Sequence, residues 1–501
     1  MTAIIISLAC VSPLDSGAGG GGANTPAAET GGGLPDSTPL AEVDVLIVGS
    51  GAGGMGAAWA ALEAGASVLV LERDDRSGGA SNNAANHWAA GTPEQAAIGI
   101  LDSPELALAE WAEFTGGDPS DPSVVAFVNE SAGVLGWLQS RGVRFTLLQN
   151  IPADTGSVSR VHTLVAGSLP GTAALATQLA DHILYETTAT SVVLDGERVA
   201  GLWVTTASGE AGWVQAQSTV LATGGFTRND ALVEASLPAL ASEEAWYESF
   251  PSNDGNGLAI GAGAGAASQN TDHIGLYSHA VEDAVIGRPE VMVLAALEMA
   301  VVVDRKGRRV ADERLYGSVS MGYRWLDEGP FFAIYDDDLW AQVRIQGRGF
   351  NYEGDPDANE LSGEEYAARH PVAEGADAAA LAAALGVDAD GLTATLERYN
   401  LDAAAGVDSE HGKPAAQLAA LDAPPLRGLP LVLGRAKSFG GLATDATGAV
   451  TDDAGVPIPG LFGAGEVTGF LGTPAVGYGH NGTITAAWWS GLRAGKSAAG
   501  N

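Results

Sequence analysis

The sequence predicts an α/β fold whose main domain is Rossmann-like and split by an inserted segment. Three observations carry this reading. A β-branched run leads straight into a Gly-x-Gly-x-x-Gly turn, a helix-forming stretch and a second buried run. Glycine-rich turns ending short apolar runs recur far down the chain, after Ala222 and after Phe462. The chain has 501 residues, 46% hydrophobic and 17% charged, which is enough for two or three domains around a large core.

Taken in order, Ala3 to Ala9 is a short apolar run directly before Cys10, the single cysteine, and Ser12 to Pro39 is rich in Gly, Ala, Ser and Pro. This stretch resembles a bacterial lipoprotein leader with a lipid-bearing cysteine and a flexible tether. It departs from that pattern in having no Lys or Arg before the run and in placing Leu8 one position late. The alternative is a tail with a chance cysteine. The resemblance implies an extracytoplasmic, membrane-tethered lipoprotein; without it the expectation is cytoplasmic. No later stretch has 18 uninterrupted apolar residues.

Val43 to Val48 reads as a buried strand, Gly49-Ser50-Gly51-Ala52-Gly53-Gly54 as the turn, Met55 to Ala64 as the helix, and Ser67 to Leu71 as a second strand closed by Glu72. Such a turn lets backbone amides approach a pyrophosphate at a helix N-terminus, and the acid accepts from ribose hydroxyls. A second glycine pair follows in Arg73 to Ser81. Ser218 to Ala222 is a strand ending in Thr223-Gly224-Gly225-Phe226, and Pro459 to Gly469 contains Gly465-Glu466. Glycine turns at both ends of a chain converge on one ligand only if the nucleotide domain is interrupted. That arrangement suggests FAD, because NAD domains are usually contiguous.

These motifs, with Asp254-Gly255-Asn256-Gly257 and Gly307-Arg308-Arg309 before Asp312-Glu313, resemble the flavoprotein family of fumarate reductases, succinate dehydrogenases and 3-ketosteroid dehydrogenases. The resemblance spans about Val43 to Gly495. It implies a split FAD-binding domain with an inserted α+β capping domain: leader and tether 1–39, first FAD part 40–235, cap 236–349, second FAD part 350–501. It implies the following FAD contacts. Gly49 to Gly54 would meet the pyrophosphate, Glu72 and Arg73 the adenosine ribose region, and Gly79, Ala80 and Ser81 the stretch toward the flavin. Ala222, Thr223, Gly224 and Gly225 would line the adenine side, Gly465 and Glu466 the ribityl chain, and Thr483 and Ile484 the ring carbonyl at a helix start. Asn256 stands where the family usually has Asp.

The family's catalytic positions are less well kept. Its proton-delivering arginine falls on Gly317, its two carboxylate-binding residues near the C-terminal half fall on Lys437 and Tyr478, its capping-domain histidine falls on Tyr277 with His279 two places on, and its Thr-Glu pair falls on Met292-Val293. A dicarboxylate needs cations at both ends, so fumarate is disfavoured. Tyr277, Tyr478, His480, Tyr316 and Lys437 are the catalytic candidates, and they suit proton chemistry beside a ketone. The expected reaction is hydride transfer between flavin N5 and a C–C bond next to a carbonyl. Two alternatives remain: a carboxylate reductase using Lys437 with Arg314 or Arg324, and a non-catalytic or electron-relay flavoprotein.

A net charge of −37 argues against nucleic acid and anionic lipid as partners. The expected partners are a small-molecule substrate that is not a dicarboxylate and an unidentified electron donor or acceptor. No metal is expected: Asp336 to Asp338 and Asp452-Asp453 read as solvated acidic turns. His162, in Arg160-Val161-His162, reads either as supporting the substrate cavity or as a buried structural histidine, and Trp488-Trp489 as core.

Overall fold

A computed structural model describes residues 33–148, 157–165, 170–243, 245–247, 249–283, 288–292, 294–346, 360–370, 372–469 and 483–500. Cys10, Val293, Tyr478 and His480 lie outside the described residues, and so does the Met292 side chain.

The first run forms the strand Ala41–Val48, the turn leads into the helix Ala52–Glu63, and the second strand is Val68–Leu71. Val45, Leu46 and Ile47 are fully buried, as expected for a parallel strand covered on both faces. Ala41–Val48 pairs in parallel with Val68–Leu71 on one side and Ala211–Leu221 on the other. Pro457–Gly463, from near the C-terminus, pairs in parallel with Ala211–Leu221, with Phe462 opposite Val220. The nucleotide-type sheet is therefore completed by two distant parts of the chain, and the split α/β architecture is what the structure shows. The last helix, Thr483–Ala499, lies on Ala52–Glu63 with the backbones almost touching. A Cβ on Gly491 would sit 2.2 Å from the Gly53 carbonyl oxygen, so the glycine is what permits this approach.

Among the described residues the second sheet has nine strands. Its spine is Leu426–Ser438, which pairs with Ile274–Asp283, Phe332–Tyr335, Ala373–Gly375 and, in parallel, Ala245–Tyr247. Strands at Glu360–Ser362, Ala373–Gly375 and Leu426–Ser438 thus belong to the second sheet, and the chain re-enters the first sheet at Ala449–Thr451, well after the boundary expected at 350. The physical reason is visible in Leu429, Leu431 and Leu433, whose period-two burial feeds the second core. Trp488 and Trp489 pack into the first core with Trp88, Trp111 and Phe127.

Asp336 departs from the solvated-turn expectation. It is buried, capping Leu339 N and accepting from the amides of Asp422 and Ala423. Asp452 does hold an exposed turn, through Ala454 N and Val456 N. His162 is fully buried in a three-stranded sheet, opposite His87, with Nε2 2.8 Å from Thr92 Oγ1. No described helix is long and apolar enough to cross a membrane.

Candidate active site

The first turn is shaped by steric necessity. Gly49 has φ +97°, and a Cβ there would lie 2.4 Å from the Ala222 carbonyl oxygen, so the turn closes against the neighbouring strand only with glycine. Glu72 ties this turn to the end of Val68–Leu71. Its Oε2 accepts from the Ser50 amide at 3.0 Å and from Ser50 Oγ, and its Oε1 accepts from the Asp74 amide at 3.0 Å. Ser50 Oγ in turn accepts from the Gly78 amide, and Ser81 Oγ accepts from the Ala52 amide at the helix start. The two glycine turns seen in the sequence are thereby stitched into one surface.

Above that surface, at the carboxyl ends of the parallel strands, lies a cavity of about 500 Å³. Gly49, Ser50, Gly51, Ala52 and Gly53 line it, with Glu72, Arg73, Gly79, Ala80 and Ser81. Ala222, Thr223, Gly224, Gly465, Glu466, Thr483 and Ile484 complete the expected set on its wall. Gly54 and Gly225 are not on the wall. Gly225 is needed for another reason: a Cβ there would lie 2.2 Å from Glu466 Oε1.

Glu466 is fixed by the Ser438 amide (2.9 Å) and by Asn253 Nδ2 (3.0 Å), both donating to Oε1. Burial pushes its pKa up to about 7, partly offset by those donors and by the charge of Lys437. Sequence reasoning missed Thr187, Thr188, Ala189, Ser249, Phe250 and Asn253, which also line the cavity. Asn253 adjoins the Asp254-Gly255 motif, so that run was a usable signal; the small polar residues at 187–189 carry none. Arg73 and Asp254, both on the wall, form an ion pair at 2.7 Å.

The other end of the cavity is built by the second sheet. Tyr277, His279, Gly317 and Lys437 all line it. The Tyr277 and His279 rings are 5.2 Å apart at 54°. Lys437 Nζ lies 5.9 Å from the Tyr277 ring centroid and 5.7 Å from that of Phe439. Burial lowers the His279 pKa to about 4, against a smaller opposing effect of the Tyr316 backbone, so the imidazole is neutral at pH 7.

Tyr316 does not join this group. It is fully buried in the second core, edge-on to Phe331 at 5.3 Å, and burial holds its hydroxyl well above the usual tyrosine range. Its side chain turns inward because an aromatic ring gains more from that apolar core than its hydroxyl loses. Arg314 is bound to Asp312, and Arg324 to Glu328 and the Val310 carbonyl; neither lines the cavity. Asn256 does, and its Nδ2 donates to the Ala189 carbonyl.

This donor set fits a flavin dinucleotide. Two helix N-termini, at Ala52 and Thr483, open on one cavity with a glycine cradle between them, with a buried carboxylate at Glu72 and a half-buried one at Glu466. Residues 44–479 match the FAD binding domain family. The chain belongs to that family. It is an FAD-dependent oxidoreductase, related to fumarate reductases.

An NADH:fumarate oxidoreductase of Klebsiella pneumoniae is 28% identical over 88% of this chain and 46% of that protein, so the chain spans about half of that relative's length. A fumarate reductase (cytochrome) of Shewanella frigidimarina is 29% identical over 86% of this chain and 73% of its own. The solved 3-ketosteroid-Δ4-(5α)-dehydrogenase of Rhodococcus jostii superposes with a TM-score of 0.75 at 25% identity, covering 93% of this chain and 98% of that one.

Proposed function

We propose that this oxidoreductase adds or removes hydrogen across a C–C bond next to a carbonyl carbon, and that a dicarboxylate is not its substrate. One observation carries the reading: among the described residues at this end of the cavity the one lysine or arginine is Lys437, while Gly317 contributes no side chain at all. Two carboxylates brought into such a site would leave at least one charge unpaired, which costs several kcal/mol of binding. A ketone oxygen makes no such demand.

FAD, when bound, supplies or takes the hydride. The chain's own residues hold it and handle the rest. The helix start at Thr483 and Ile484 and the amides of the first turn favour negative charge on the bound group. Glu72 and Glu466 accept from hydroxyls. In this reading Tyr277, on the cavity wall, holds the carbonyl oxygen of the substrate or moves a proton at the adjacent carbon, and the neutral His279 ring packs against it. The carboxylate-reductase alternative loses support, because Arg314 and Arg324 are tied elsewhere and do not line the cavity. The proposal includes residues 1–39 as leader and tether with Cys10 lipidated, which labelled palmitate would reveal in cells.

The test uses FAD-loaded protein reduced anaerobically with dithionite and mixed with cyclic enones or with fumarate. Enones should reoxidise the flavin rapidly and fumarate only slowly. Rapid reoxidation by fumarate alone would overturn the proposal.

A further inference from the structure

Arg73 and Asp254 meet across the cofactor cradle. Arg73 follows the strand Val68–Leu71, whereas Asp254 is bonded to the turn Gly225 to Asn229, beyond the strand Ala211–Leu221. The strand Ala41–Val48 runs between those two in the sheet, paired to both, and its carboxyl end carries the Gly49 to Gly54 turn. Neighbouring strands stand about 4.8 Å apart, so the flanking two are about 10 Å apart. The Arg73–Asp254 ion pair, 2.7 Å from Nη1 to Oδ2, closes that gap on the wall of the same cavity. It does so on the solvent side: the two side chains are 30% and 45% exposed, while Glu72, the residue before Arg73, is buried.

The two partners are not held alike. The Asp254 carbonyl accepts from Asn229 Nδ2 at 3.0 Å, its Oδ1 accepts from the Asn256 amide at 3.0 Å, and the next amide, of Gly255, donates to the Gly225 carbonyl. Asn253, on its other side, donates to Glu466. Asp254 is a fixed catch. The Arg73 guanidinium has Asp254 as its one hydrogen-bonded partner among the described residues, at the end of a side chain rich in rotamers. Arg73 is the arm that can move. An ion pair this exposed is weak, which suits a closure that must open and suits a structural tie poorly.

We propose that Arg73 gates the cofactor site: closed onto Asp254 it retains FAD over the glycine cradle, and FAD enters and leaves only with the arm swung away. A gate and a direct contact differ in kinetics. Losing a contact speeds release alone and weakens binding. Losing a gate speeds entry and release together and leaves the affinity almost unchanged. The proposal needs FAD as the cofactor and is independent of the substrate.

The experiment measures both rates. Release from FAD-loaded protein is followed by flavin fluorescence, with phosphodiesterase cleaving each FAD that leaves; entry is followed by mixing FAD-free protein with FAD. Asp254→Asn and Arg73→Gln should each speed entry and release by about threefold, with Kd almost unchanged. Arg73→Lys, which keeps an ion pair, should stay close to the wild type. The combined Asp254→Asn and Arg73→Gln variant should match either single one, because the two groups act as one closure. Arg73→Gln leaves the bonds of the Gly225 to Asn229 turn in place, so its rates decide the matter even where Asp254→Asn disturbs that turn. Unchanged rates in Arg73→Gln would overturn the proposal. Faster release with entry unchanged or slowed would overturn it too, making Arg73 a direct FAD contact, as would single effects that multiply in the combined variant.

Discussion

The two ends of the cavity obey different rules. At the cofactor end, main-chain atoms form much of the surface, and side chains matter chiefly by being absent or by holding turns in place, as Gly49, Ser50 and Glu72 do. At the other end, which the proposed function gives to the substrate, side chains form the wall, and Tyr277, His279 and Lys437 come from strands of a different sheet. The first kind of surface tolerates little change. The second can be rebuilt residue by residue on an unchanged fold, which is how related scaffolds serve different substrates.

The comparison can be broken most forcefully at Gly49. Gly49→Val places branched carbon where even a Cβ lies 2.4 Å from the Ala222 carbonyl oxygen. Protein made from this variant should contain almost no FAD, read from its flavin-to-protein absorbance ratio. Near-stoichiometric FAD would show that the cradle is not steric. Next in size is Tyr277→Phe. It should lower kcat on an enone by roughly 100-fold at unchanged FAD content; a loss below threefold would take Tyr277 out of the chemistry.

A third contrast is in pH. Glu466 has its folded pKa raised to about 7, so its contribution to stability in FAD-free protein is present below the normal carboxylate range and fades as pH rises through 7. His279 has its folded pKa lowered to about 4, so its contribution is present above the normal histidine value near 6.5 and fades as pH falls through 4. Each spans on the order of 3 kcal/mol. Urea unfolding across pH should show the high-pH loss flattened in Glu466→Gln and the low-pH loss flattened in His279→Gln. Identical profiles in wild type and variants would contradict the assignment. The smallest effect is expected for Tyr316→Phe, which removes a buried hydroxyl with no partner among the described residues. Activity should stay within twofold and stability should hold or rise slightly, by enone turnover and thermal unfolding; a large kcat loss would return Tyr316 to the site.

The same contrast explains what was legible in the sequence. Spacing within a strand-turn-helix unit is local, so Gly49 to Gly53 and Glu72 were readable and lie on one wall. The family resemblance pointed to Gly317, Lys437 and Tyr277, and all three line the cavity. It did not distinguish Tyr316 from Gly317, because adjacent residues on a turn point opposite ways, one into the core and one to the cavity. Leu426–Ser438, within the stretch expected as the second FAD part, pairs instead in the second sheet, because alternating leucines announce a strand but not its partners. Ser249 was invisible, since nothing local marks a serine that reaches the cavity wall with its carbonyl held by Arg228.

A structure of the FAD-loaded chain with a bound cyclic enone tests the central claim most directly. The account predicts the carbonyl oxygen within about 3 Å of Tyr277 Oη, on the wall shared with Lys437. An enone bound with its carbonyl away from Tyr277, or fumarate seated there with both carboxylates paired to cations, would contradict it.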